Sequence, residues 1–209
     1  NEFYGNAGYC YSFGEAEGGI VSGTCGSNAK WILNNNGVLY VWGTGEMYNY
    51  QQPWGEYTDF IREVIIFDGI TSIGDDTFSD CNNLEQINIP NSVIRIEDSA
   101  FKGCSLLSEI TIPESMTYIP RDCFEYCTAL EEVTLPSTLD SIGRYAFYSC
   151  DKLDVTWLAK KCEVAPTSFT GALNTILFGT NVEEVPANLC YENRNLNAVT
   201  LPYAIKKVG

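Results

Sequence analysis

Histidine is absent from this chain, so its carboxylates and thiols are the first groups to weigh for chemistry. That absence removes Ser-His-Asp and Cys-His catalysis, histidine metal sites and the usual near-neutral acid and base. Glu109 and Glu132 are the first pair to weigh. They lie 23 residues apart, and if that interval is one coil, their backbones sit roughly 5 Å apart. The spacing suits the carboxyl pair of a retaining glycosidase. Such a pair also needs a pocket that excludes water and separates two acidities, and an open sheet supplies neither. No catalytic residue is assigned, and the chain reads as non-enzymatic.

Asp75, Asp76, Glu97, Asp98 and Asp122 gather on expected turns. No Asp-x-Asp-x-Asp-Gly loop accompanies them, so solvated turn charge is a better reading than calcium. Gly43-Thr44-Gly45 is too short for a phosphate loop. No metal and no cofactor is expected.

The nine cysteines would suggest disulfides in a short secreted chain, but their register argues otherwise. Cys81, Cys104, Cys127 and Cys150 recur every 23 residues, as do Phe78, Phe101, Phe124 and Phe147. Cys123 shares a small-residue slot with Thr77, Ala100 and Ala146, and Cys190 falls in a phenylalanine slot. Stacked coils hold equivalent Cα atoms about 4.8 Å apart with Cβ atoms that do not converge. The ladder therefore reads as free, buried thiols acting as small hydrophobes. Cys10 and Cys25 lie outside the ladder and form the one pair considered for a bridge. No C-x-x-C supports zinc or thioredoxin-like chemistry.

What positions these residues is a repeat. Leu84, Leu107, Leu130 and Leu153 keep the 23-residue step, and a fixed period of this size means a solenoid whose units bury their apolar faces against neighbours. Repeats start at 61, 84, 107, 130, 153, 173 and 196. In each, a Leu-x-x-Ile-x-Ile segment alternates apolar and polar residues like a half-buried strand. Pro90, Pro113, Pro136 and Pro202 follow at once, where a missing N–H ends the ladder. A second short extended piece, 93–96 and its equivalents, makes the opposite wall. The Ala-Phe-x-x-Cys segment is expected to be a helical turn. The fold class is thus an α/β solenoid with a parallel β-sheet on the concave face.

Two repeats depart from the pattern. The fifth is short and carries Trp157, Lys160 and Lys161. The sixth places Leu189 in the small slot and Cys190 in the aromatic slot, a swap expected to compensate in volume. The seventh stops at Val208–Gly209 before its phenylalanine turn, so the natural chain is expected to continue.

Residues 1–60 are assigned to an N-terminal cap and 61–209 to the solenoid. Within the cap, 1–28 read as irregular. AKWIL and VLYVW read as a hairpin across NNNG, and 43–60 as a loop or short helix. Trp31, Trp42 and Trp54 are its expected packing anchors.

The unit L-x-x-I-x-I-P-x-S-V-x-x-I-x-x-x-A-F-x-x-C resembles the BspA-like (Treponema pallidum type) leucine-rich repeats over about 61–209, most specifically in repeats one to four. The lead-in CGSNAKWILNNNGVLYVWGTGEMYNY is similar to that of family members from gut and oral bacteria. The resemblance implies a secreted or surface-anchored protein of a host-associated bacterium, with repeats that bind host matrix proteins, other microbes or glycans. It implies no catalytic residue.

The formal charge is −15, from 12 Lys+Arg against 27 Asp+Glu. That disfavours nucleic acid and anionic lipid. No run of 18 apolar residues occurs to span a bilayer, so no membrane insertion is expected and the chain is read as a monomer. The expected ligand surface is the outward row of the strands: Glu63, Gln86, Glu109 and Glu132, with Asn88, Thr111 and Thr134 beside them. Its expected partner is a host matrix protein or another microbial surface protein, and the expected location is extracellular or cell-surface. Alternatives are a carbohydrate-binding module using Trp42, Tyr48, Tyr50, Trp54 and Tyr57, or a structural spacer in a larger surface protein.

Overall fold

The structure, a computed structural model, describes residues 2–4, 10–12 and 21–209. β1 (Glu2–Tyr4) and β2 (Cys10–Ser12) pair antiparallel. β3 (Val21–Thr24), β4 (Asn28–Leu33) and β5 (Val38–Glu46) form an antiparallel meander. The expected hairpin is β4–β5. Its turn is set by Gly37 at φ 80, and the Asn34 side chain accepts the backbone N–H of Asn36 and Val38. Two expectations here need correction. The stretch read as irregular contains β1, β2 and β3, whose pairing is supplied by partners and not by hydrophobic periodicity. The segment read as a loop from 43 begins as the end of β5, and its helical part is a 3-10 helix, Gly55–Phe60.

From Ile61 the chain runs through seven coils, each giving one strand to either wall. The first three give β6 (Glu63–Ile66) and β7 (Ile70–Ile73), β8 (Gln86–Asn88) and β9 (Arg95–Ile96), and β10 (Glu109–Thr111) and β11 (Tyr118–Ile119). Next come β12 (Glu132–Leu135) and β13 (Ser141–Ile142), then β14 (Leu153–Trp157) and β15 (Glu163–Val164). The last are β16 (Leu173–Phe178) and β17 (Glu184–Val185), and β18 (Ala198–Thr200) and β19 (Lys207–Val208). Where strands of successive coils pair, they pair parallel. β5 acts as a coil before the first: Val38–Val41 pairs with β6, and its far end pairs with β7.

The core between the walls is a stack of rings. Trp54 stacks on Phe78 at 4.8 Å, followed by Phe101, Phe124, Phe147 and Phe169 at centroid steps of 5.4, 5.4, 5.2 and 5.0 Å. Each ring is buried, which contributes about 1.5–3 kcal/mol by area removed from water. Trp31 meets Trp54 edge-on at 6.1 Å. Trp31 and Trp54 are thus packing anchors, whereas Trp42 is half-buried.

The turns that carry the phenylalanines are not helical, which corrects the expected helical turn. Phe78, Phe101 and Phe124 donate their backbone N–H to Ala100, Cys123 and Ala146 of the next coil. An α-helix would spend those donors internally. Two left-handed residues four apart bend each turn: Asp76 and Asp80, Ser99 and Gly103, Asp122 and Tyr126, and so on to Asn188 and Glu192. Asp, Asn, Ser and Gly dominate these positions because a short side chain tolerates positive φ best.

The ladder thiols are free and buried, as expected. Their S–H groups have a use that the register alone did not reveal. Cys104, Cys127 and Cys150 each donate from Sγ at 3.2 Å to the carbonyl of Phe78, Phe101 and Phe124 in the preceding coil. Cys25 is a free, buried thiol; the side chain of Cys10, its considered partner, lies outside the described residues. Cys190 departs from expectation. It aligns with Phe169, yet it is exposed, and in that turn Leu189 is the buried side chain. A thiol is too short to reach the column a ring would occupy.

Candidate functional site

The strands bring the expected row into line. Glu63 pairs with Gln86 and Ile65 with Asn88. Glu109 pairs with Glu132 and Thr111 with Thr134. The row continues through Asp154 and Thr175 to Ala198. Sequence spacing missed Asp154 and Thr175, because the short fifth repeat and the register shift at Leu153/Asp154 break the 23-residue count.

The row is not continuous. β6 pairs with β8, and β10 pairs with β12, but β8 and β10 belong to different sheets. The turns on the other side of the coil keep their ladder across this point, with Ser99 N donating to Arg121 O and Phe101 N to Cys123 O. The result is a cleft of about 340 Å³ in the strand face, lined by Glu63, Gln86, Asn88, Glu109 and Thr111 above the apolar Ile87. Five of the seven expected contact residues therefore share one depression, and Glu132 and Thr134 flank it one strand further on.

Charge is distributed unevenly over the surface. Several acids beside the strands, on the turns and on the second wall are paired: Arg62–Glu85 at 3.2 Å, Lys102–Glu125 at 2.6 Å, Lys160–Glu183 at 3.2 Å and Lys206–Glu183 at 3.1 Å. Arg95 bridges Glu46 and Glu97, and Arg121 lies between Asp98 and Asp122. The turn acids Glu97, Asp98 and Asp122 are thus shared out among arginines. On the strand row, no cation comes within ion-pairing distance of Glu63, Glu109, Glu132 or Asp154 among the described residues. Asp154 is instead fixed by Asn174 Nδ2 at 2.7 Å and Thr175 Oγ1 at 2.8 Å. Like charges on adjacent strands are destabilising, so Glu109, Glu132 and Asp154 together hold a negative field that the fold does not neutralise.

The aromatic alternative fares differently. Trp54 is buried and stacked, so its ring offers no face to a sugar, while Tyr48 and Tyr50 are exposed. Carboxylate acidity shifts elsewhere: Asp75 and Asp122 are pushed up, first by burial and then by neighbouring acids. No helix among the described residues is long and apolar enough to cross a membrane.

The BspA type leucine rich repeat region family matches in six copies over residues 56–172. The chain belongs to this family of leucine-rich repeat proteins. Its coils are similar to those of a solved Treponema pallidum leucine-rich repeat protein, at 21% identity over 85% of this chain and 82% of that one, with a TM-score of 0.53. A leucine-rich repeat protein from Eubacterium ventriosum is 19% identical over 91% of this chain and 85% of that chain, TM-score 0.45. A leucine rich cell surface protein from Faecalibacterium prausnitzii is 15% identical over 91% and 79%, TM-score 0.36. Among curated proteins, none matches. Membership of the family points to a protein-interaction or structural role, in keeping with a repeat architecture that presents an extended surface.

Proposed function

We propose that this chain is a non-enzymatic, extracellular interaction module that binds a basic segment of a host matrix or microbial surface protein through the strand row. The observation that carries this reading is the run Glu109, Glu132, Asp154 on consecutive paired strands with no internal cation. Beside it, the cleft at Glu63, Gln86, Asn88, Glu109 and Thr111 accepts a lysine or arginine side chain, whose stem would lie against Ile87 while its head meets the two glutamates. The acidic surface also speeds encounter with a basic partner. In this reading residues 1–60 form the cap, with Trp31 and Trp54 closing the first coil, and residues 61–209 present the surface. Sugar binding by the cap is the weaker reading, since it loses Trp54 as a platform. A spacer role predicts no ligand for the row at all.

The test is competition. A lysine-rich peptide should displace a bound matrix protein in proportion to its charge, and a serine-substituted control peptide should not. Equal displacement by both peptides would sink the reading.

A further inference from the structure

The second wall carries a depression that the strand-row account leaves unused. Tyr118, Ser141 and Glu163 are successive partners across β11, β13 and β15. Ser141 is the small member, so a hollow of about 690 Å³ opens between the tyrosine and the glutamate, within the range of small-ligand sites. Gly143 forms part of its floor. A Cβ there would meet Arg121 N at 2.7 Å and the Tyr118 hydroxyl at 2.8 Å, so glycine lets the tyrosine lie close over the next coil. Asp98, Arg121 and Arg144 line the rim one repeat apart.

The two arginines are not equivalent. Arg121 Nε lies 3.6 Å from Asp98 and 3.5 Å from Asp122. Arg144 packs over the Tyr145 ring at 5.3 Å and approaches its hydroxyl at 3.5 Å. Among the described residues it has no carboxylate within ion-pairing distance. With one Nη2 donor directed at that hydroxyl, the guanidinium keeps its remaining in-plane donors available for a carboxylate.

We infer that this hollow binds a monoanionic sugar, a hexuronic-acid-type residue of a glycan. Arg144 takes the sugar carboxylate, Tyr118 faces the ring, and Asp98 and Glu163 accept its hydroxyl protons. Arg121 is taken up by Asp98 and Asp122, so Arg144 is the one lining cation left for a ligand, which matches a single negative charge. A phosphate, a sulfated chain or an acidic peptide brings further charge that no lining cation answers, on a chain that carries −15 overall. A neutral sugar would leave Arg144 unanswered.

The test is amide-shift titration of the intact chain with methyl β-D-glucuronide, methyl β-D-glucoside, inorganic phosphate and a tri-aspartate peptide. The expected result is saturable shifts at Ser141, Gly143 and Ala165 with the glucuronide, at an affinity about tenfold above the glucoside. Arg144→Gln should bring the glucuronide down to the glucoside level with its unfolding midpoint little changed, because Arg144 is exposed and its side-chain contacts are confined to the neighbouring Tyr145. Equal binding of glucuronide and glucoside would overturn the proposal. So would phosphate or the peptide binding as tightly as the glucuronide, or no saturation by the glucuronide.

Discussion

Glu109 and Glu132 are direct partners in a parallel ladder, two carboxylates on neighbouring strands with no cation between them. A fold selected for stability alone would place opposite charges or a Thr–Thr pair there, as it does two residues on at Thr111 and Thr134. Replacing Glu132 with Gln should therefore stabilise the chain by roughly 0.2–1 kcal/mol while weakening capture of a basic partner. Chemical denaturation beside a binding assay reads both effects. A variant that loses stability would show that the pair is not repulsive.

The phenylalanine column predicts a graded series. Phe124 has rings at 5.4 and 5.2 Å on either side, so Phe124→Ala should cost about 3–5 kcal/mol. Removal of a ring from a central coil should also uncouple the coils on either side, broadening the unfolding transition. A loss below about 1 kcal/mol would mean that the column does not carry the core.

Thiol reactivity should follow burial. Burial pushes Cys81 and Cys25 up to about 12, and Cys104, Cys123 and Cys150 well above the ordinary thiol value. Native alkylation at pH 8 followed by peptide mapping should mark Cys190 first, since it is exposed, and leave the ladder unlabelled until the chain unfolds. Cys127→Ala should cost about 0.5–1 kcal/mol through the lost Sγ–H bond to the Phe101 carbonyl, which keeps its bond from Cys104 N. Early labelling of Cys104 or Cys127 would contradict the packed ladder.

Stability should rise on mild acidification. Asp75 is raised by burial and by Glu97, Asp98 and Asp76; Asp122 is raised by burial and by Glu125. A carboxylate whose folded pKa exceeds its unfolded value of about 3.9 binds more protons when native, so unfolding becomes harder as pH falls from neutral into that window. Glu183 is shifted the other way by Lys206 and Lys160, but its partners are exposed lysines whose ion pairs with it are screened by solvent. Denaturation midpoints at pH 7 and pH 5 check the sign. Asp75→Asn should flatten the difference, and a midpoint that drops towards pH 5 would refute it.

The repeat and its strand register were readable because apolar positions recur at 23 residues, and one slipped residue would turn Ile110 and Val133 out of the core. Three kinds of feature carry no such periodic signal. Turn conformation was hidden, since backbone donors of Phe78 and Phe101 can serve a helix or the next coil with the same residues. Asp154 and Thr175 fell out of the expected row because the short repeat displaced the count. The cleft between β8 and β10, and the hollow between Tyr118 and Glu163, depend on which neighbouring strands pair and on one small residue, Ser141. No periodicity marks either.

The most direct measurement is salt-dependent binding of the chain to immobilised extracellular-matrix proteins, native beside the double reversal Glu109→Lys and Glu132→Lys. The account predicts saturable binding that weakens as salt rises, is lost in the double reversal, and survives when Tyr50 in the N-terminal segment is replaced by Ala. Undiminished binding by the double reversal, with both chains equally folded, would contradict it.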